Sequence, residues 1–170
     1  MRVYLTGAIE YAPDHGKRWR AEVTPFLRGL GHEVYDPAED EKKNLTDDER
    51  RNFRQWKHSD LPRFQQVIRK IIAYDLDWIE QRTDYVVACW DEHASRGAGS
   101  QAELTMAHRR GIPVYLVTEM PLAHVSGWVL GCASHVFSSF HELKEFLATR
   151  YAPVDERSVP LNVQPAAEIA

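Results

Sequence analysis

The chain has 170 residues, 44% of them hydrophobic and 27% charged, with a formal net charge of −4. That length suffices for one domain with a real core, and no apolar run approaches the ~18 residues a membrane span needs, so no membrane partner is expected. The acidic balance argues against a nucleic-acid polymer as partner, because phosphate neutralisation needs a basic face.

The opening "MRVYLTGAIEY" enters a strand pattern directly, without the apolar core and cleavage site of a secretory signal, and a cytoplasmic protein is expected. Arg2 to Thr6 is a β-branched and aromatic run ended by Gly7, which predicts a first strand. In "HGKRWRAEVTPFLRGLG", Trp19, Val23, Phe26, Leu27 and Leu30 recur at helical spacing, with Asp14 as N-cap, Gly31 as stop and Pro25 as an interruption. "HEVYDP" predicts a second strand closed by Asp36 and Pro37. Residues 38–60 are polar and charged and read as a surface excursion with one short helix, "DDERRNFRQWKHSD" being a solvated helix face or loop.

Helical spacing returns at Leu61, with Val67, Ile71 and Ile72 on one side, and continues through "YDLDWIEQRT". Strand "DYVVACW", helix "SQAELTMAHRRG", strand "IPVYLVT", helix "LAHVSGWVLGC", strand "HVFSS" and helix "FHELKEFLATRY" follow. Such alternation requires a parallel sheet covered on both faces: a doubly wound, Rossmann-like (flavodoxin-like) α/β fold of about five strands. One domain over residues 1–151 is expected, with 152–170 as a flexible tail, since that segment has three prolines and no helical period. Cys89 and Cys132, far apart and in apolar contexts, read as small buried hydrophobes.

In open α/β sheets ligands bind beyond the carboxyl ends of the strands. Three segments fall there: "TGAIEY" with Gly7, Ala8 and Ile9, "DEHASRGAGSQAE", and "TEMPLAHVS". Gly97 and Gly99 can take backbone angles closed to other residues, and Ser100 is a good N-cap for the helix that follows, so this turn can offer N–H groups to a ligand. Glu103 is placed in the first turn of that helix, leaning back toward the strand ends; a capping box with Ser100 is the plainer alternative. Asp75 and Asp77 point about 200° apart on a helix, so at most one faces the site. Two carboxylates at a small polar pocket suit cleavage of a glycosidic bond. No phosphate loop, HxxxH pair or G-x-S-x-G is present, so ATP binding, metal catalysis and serine-hydrolase chemistry are disfavoured, and no metal or cofactor is expected.

Four segments in register, "VYLTGAI", "DLDWIEQRTDYVVA", "GAGSQAELTMAHRRGIPVYLV" and "SGWVLGCA", resemble the nucleoside 2-deoxyribosyltransferase superfamily, which includes the 2'-deoxynucleoside 5'-monophosphate N-glycosidases. The resemblance runs from about residue 2 to 150. It implies that Glu103 is the nucleophile, that Asp75 and not Asp77 contacts the departing base or sugar, and that Tyr4 orients the nucleophile. It also implies a homodimer or higher oligomer in which Ser126 completes a neighbour's active site, acting on a small nucleoside or nucleotide. The chain departs from the family at Gly97, where the transferases carry an aspartate and the monophosphate hydrolases a serine, and at Glu10, an acid that would repel a 5'-phosphate unless Arg96 compensates. The excursion at 38–70 is longer than the family's and is a candidate cover for the base pocket, with Trp56, Trp78 and Trp90 either a stacking wall or core. "GAGSQAE" also resembles the G-G-x-G-T-x-x-E turn of nucleotide phosphoribohydrolases, and a nucleoside sensor without turnover is a further alternative.

Overall fold

The computed structural model describes residues 1–39 and 45–151; the expected tail at 152–170 lies outside the described residues. Five strands, β1 (Arg2–Gly7), β2 (Glu33–Tyr35), β3 (Tyr85–Cys89), β4 (Val114–Val117) and β5 (His135–Phe137), form one parallel sheet in the order β2-β1-β3-β4-β5. The helices are α1 (Lys17–Gly29), α2 (Asp47–Ser59), α3 (Leu61–Arg82), α4 (Gly99–Arg109), α5 (Gly127–Cys132) and α6 (Phe140–Arg150). The fold is the expected doubly wound α/β type, and its strand order reverses between β1 and β3.

Strand parity sorts the core. Tyr4, Val86, Ala88, Val114 and Leu116 project on one face, against Trp78, Ile79, Leu104, Ala107 and Val129 of α3, α4 and α5. Val3, Leu5, Tyr85, Val87, Tyr115 and Val117 project on the other, against Val23, Leu27, Leu143 and Leu147 of α1 and α6. Because both faces are covered, β3 and β4 are near-continuous apolar runs with no polar alternation.

Pro25 does not interrupt α1. Pro25 and Ala21 are both exposed, so the carbonyl that loses its intrahelical donor faces water, while Val23 and Leu27 anchor the opposite face. The helix also starts later than expected: Gly16 is its N-cap, and the Asp14 carboxylate accepts from the N–H groups of Gly16 and Arg18, each at 2.9 Å. Those two bonds hold its carboxyl below the usual carboxylate range.

Residues 40–44 of the excursion lie outside the described residues; from residue 45 on it is more ordered than its charge suggests. Thr46 and Glu49 close a reciprocal capping box at the start of α2, which runs for 13 residues. Its Phe53 and Trp56 join Leu45 and Val67 in a third buried cluster, separate from the two sheet faces, so α2 is not simply a solvated helix. Trp56, Trp78 and Trp90 are all buried. Cys132 is buried, Cys89 is half-buried, and burial pushes the Cys89 thiol up to about 12.

The tight place in the backbone is the loop from β1 to α1. Gly16 has φ +70°, and a Cβ there would run into the Ala8 carbonyl oxygen and the Arg20 guanidinium. Gly16→Ala combines left-handed strain with a collision, and should lower unfolding free energy by about 1–3 kcal/mol. A denaturant titration that gives an unchanged midpoint and slope would contradict this account of the loop.

Candidate active site

Tyr4 and Thr6 are two residues apart on β1 and therefore share the sheet face that α4 covers. Both hydroxyls reach Glu103: Tyr4 Oη donates to Oε1 at 3.0 Å, and Thr6 Oγ1 donates to Oε2. Glu103 is the fifth residue of α4, in its second turn rather than its first. Its carboxylate is thus turned toward β1, and Ser100 does not cap the helix: Ala98 occupies the N-cap position with no side-chain bond. The capping-box alternative is overturned, because both Glu103 oxygens are engaged by the strand.

Opposing effects act on this carboxylate. Burial raises the Glu103 pKa above its ordinary value, while the hydrogen bonds from Thr6 and Tyr4 and the Arg20 charge act to lower it. Tyr4 is itself raised well above a normal tyrosine, first by burial and then by the Glu103 charge, so it stays a donor. The arrangement holds a half-buried carboxylate by two hydroxyl groups that cannot take its proton.

Glu103 opens onto a cleft of 380 Å³ at the carboxyl end of the sheet, beside the reversal of strand order. Gly7, Ala8, Ile9, Glu10 and Tyr11 form one wall, and His93, Arg96, Gly97, Gly99 and Ser100 the facing wall. Asp75 of α3 also lines the cleft, whereas Asp77 is exposed. Asp75 accepts a hydrogen bond from Tyr35 Oη at 3.2 Å, and the Tyr35 ring stacks on Trp78 with centroids 4.2 Å apart. Trp78 acts as core behind the site, and none of Trp56, Trp78 and Trp90 lines the cleft.

Gly97 and Gly99 border the cleft as expected, but neither uses a left-handed backbone: Gly97 sits at φ −106° and Gly99 is helical. Positive φ falls instead at His15 and Gly16, with Gly31 and Gly111 past helix ends. Small side chains at 97–99 keep the facing wall low, and ordinary geometry suffices there.

Ser126 is exposed ahead of α5 and does not line this cleft. Glu10 is not a lone acid, since Lys57 of α2 pairs with it at 2.7 Å, and that hydrogen bond raises the Lys57 pKa. Among the described residues no group of three or more His, Cys, Asp and Glu side chains could hold a metal, and no helix is long and apolar enough to cross a membrane.

Three site residues escape sequence reading. Thr6 is legible afterwards by parity, once Tyr4 is assigned to the site face. Tyr35 carries no motif of its own. Arg20 is 2% exposed and donates to the carbonyls of Gly7 and Gly16 at 3.1 Å and of Ala8 at 3.3 Å, with Asp36 3.0 Å from its Nε. Its signal is an arginine in the helical stripe with Val23 and Leu27, where a solvated face would not place it.

No family model matches the chain, and no curated protein matches it. Among solved structures, a 2-deoxyribosyltransferase from Bacillus psychrosaccharolyticus superposes with a TM-score of 0.59 at 15% identity, covering 89% of this chain and 96% of that one. The fold is that of a 2-deoxyribosyltransferase. A conserved protein from Enterococcus faecalis V583 superposes with a TM-score of 0.55 at 18% identity, covering 88% of this chain and 98% of that one. At these identities the likeness is one of fold, and it spans nearly the whole length of both structures.

Raised by burial, Glu103 binds its proton in the fold at a pH where the unfolded chain has released it. Its contribution to stability is therefore full below the unfolded pKa and is lost as pH rises through the folded one. Glu103→Gln should accordingly be more stable than the native protein at neutral pH, with the gap closing as pH falls below the ordinary glutamate range. Thermal midpoints across pH test this; a gap that widens in acid would contradict it.

Proposed function

We propose that the protein cleaves or transfers the N-glycosidic bond of a 2'-deoxynucleoside-like substrate, with Glu103 as nucleophile and no cofactor. The observation that carries the reading is the clasp of Tyr4 and Thr6 on the Glu103 carboxylate at an open cleft that Asp75 also lines. A nucleophilic carboxylate must be ionised and aimed, and the two hydroxyls serve both needs: they favour the charged form against burial and fix both oxygens.

In the proposed reaction an Oε atom of Glu103 attacks the anomeric carbon and the carbon–nitrogen bond breaks. The electron pair leaves with the base nitrogen, and a glycosyl ester remains on Glu103. Asp75, held by Tyr35, meets the base or sugar as it departs. Water then hydrolyses the ester, or a second base takes the sugar, which frees Glu103. Gly7, Ala8, Ile9, Gly97, Gly99 and Ser100 shape the substrate cleft between the two walls.

A 5'-monophosphate is a second reading, favoured by two features. Lys57 neutralises Glu10, which on sequence alone looked repulsive, and the first turn of α4 has no side-chain cap where Arg96 and His93 border the cleft. The oligomer belongs to the same proposal: Ser126 and, two residues on, Trp128, which is 61% exposed, lie outside the cleft of their own chain, where a second copy would meet them.

The test incubates the protein with 2'-deoxynucleosides and their 5'-monophosphates, with and without a second free base, and follows products by chromatography. Base release alone marks a hydrolase and a new nucleoside a transferase. Glu103→Ala should lose at least about 10³-fold in turnover; full activity would end the mechanism. Ser126→Ala should lower turnover in a protein that sedimentation shows to be a dimer or larger, whereas a fully active monomer would remove the shared site. Ligand binding with no turnover of any substrate would point to a sensor.

A further inference from the structure

The cleft does not end at Asp75. On its α2–α3 side a smaller pocket of 160 Å³ opens, sharing Ile9, Glu10, Pro37 and Asp75 with the cleft. Its remaining lining is mainly apolar, with Phe53 of α2 and Phe64, Ile68 and Ile71 of α3. The rings of Phe53 and Phe64 stack with centroids 6.4 Å apart, and Ile71 packs on the cluster that Phe53 belongs to. Polar groups are limited to Glu10 and Lys57, which neutralise each other, to Arg54, whose guanidinium lies over the Phe53 ring, and to Asp75.

We propose that this side pocket selects the base: it receives a small alkyl substituent on the edge of the base beyond its contact with Asp75, so that the preferred substrates carry alkylated bases. The inference rests on the N-glycosidic reading above for what occupies the cleft. Its physical basis is the contrast between the two spaces. Beyond the residues it shares with the side pocket, the main cleft is bordered by the Glu103 carboxylate, by Arg20 and Arg96, and by the first turn of α4, groups suited to a sugar and the polar edge of a base. The side pocket offers aliphatic and aromatic walls and no net charge. Water held against Phe53, Phe64, Ile68 and Ile71 has few partners on that wall, so an alkyl group that displaces it there gains affinity. A hydroxyl or charged substituent set against Phe53, Phe64, Ile68 and Ile71 would lose hydration that these walls do not replace. Since the substituent stays on the base in the ground state and the transition state alike, the preference belongs in kcat/KM.

The experiment measures kcat/KM for base release from two series: 2'-deoxyuridine with hydrogen, methyl, ethyl and propyl at C5, and 2'-deoxyadenosine with the same groups on N6. In at least one series kcat/KM should rise about fourfold for each methylene buried. Ile68→Phe, which fills the pocket, should bring the ratio of alkylated to plain substrate close to one, and Ile68→Ala should move the optimum to a longer chain. Ratios at or below one in both series, or ratios unmoved by both Ile68 variants, would overturn the proposal. Calorimetric binding of the free bases to native protein and to Glu103→Ala reads the pocket without the chemistry. With no turnover of any substrate the mechanism fails, while the pocket is still judged: tighter binding of alkylated bases supports it, and equal or weaker binding overturns it.

Discussion

The site depends on the two-residue repeat of β1. Tyr4 and Thr6 fall on one face of the strand because alternate side chains must, and the parallel sheet aims that face at the second turn of α4. There one carboxylate is met by two hydroxyls from a single strand. Shifting β1 by one residue would turn Val3 and Leu5 toward α4 and bury the hydroxyls under α1. The pairing of Tyr4 with Tyr35 and Val86 therefore fixes the chemistry as well as the sheet.

Behind this clasp, buried polar residues hold what surrounds it. Tyr35, wedged on Trp78, directs Asp75; Arg20 gathers the carbonyls of Gly7, Ala8 and Gly16 and so sets the wall that faces α4. A buried guanidinium is costly to desolvate, and here three carbonyls and the Asp36 carboxylate compensate it. The loop after β1 is accordingly held from within the fold and does not depend on a substrate for its shape.

Most of the architecture was legible in the sequence, because apolar runs of strand length alternate with amphipathic helices from Arg2 to Arg150. The local chemistry of the turns was less so. Gly97 and Gly99 look like a permissive glycine turn, yet the left-handed backbone falls at His15 and Gly16, where the demand comes from the Ala8 carbonyl across the loop and the Arg20 guanidinium one helical turn on. Ser100 and Glu103 have capping-box spacing, but the true capping box is at Thr46 and Glu49; Glu103 escapes it because hydroxyls 97 and 99 residues away compete for its oxygens. Pro25 leaves α1 unbroken because the carbonyl it deprives of a donor faces water. The pairing of Glu10 with Lys57 could not be read at all, since it depends on how α2 folds back.

The third buried cluster separates two kinds of evolutionary freedom. Leu45, Phe53, Trp56 and Val67 support α2 and its packing on α3 apart from the clusters under the sheet. Drift in the residues of that hairpin can reshape the end of the cleft while leaving Tyr4, Thr6 and Glu103 in register. A lineage carrying this fold can thus change what it accepts without rebuilding what reacts, and sequence variation that looks like surface noise between residues 45 and 71 is where its substrate range would be written.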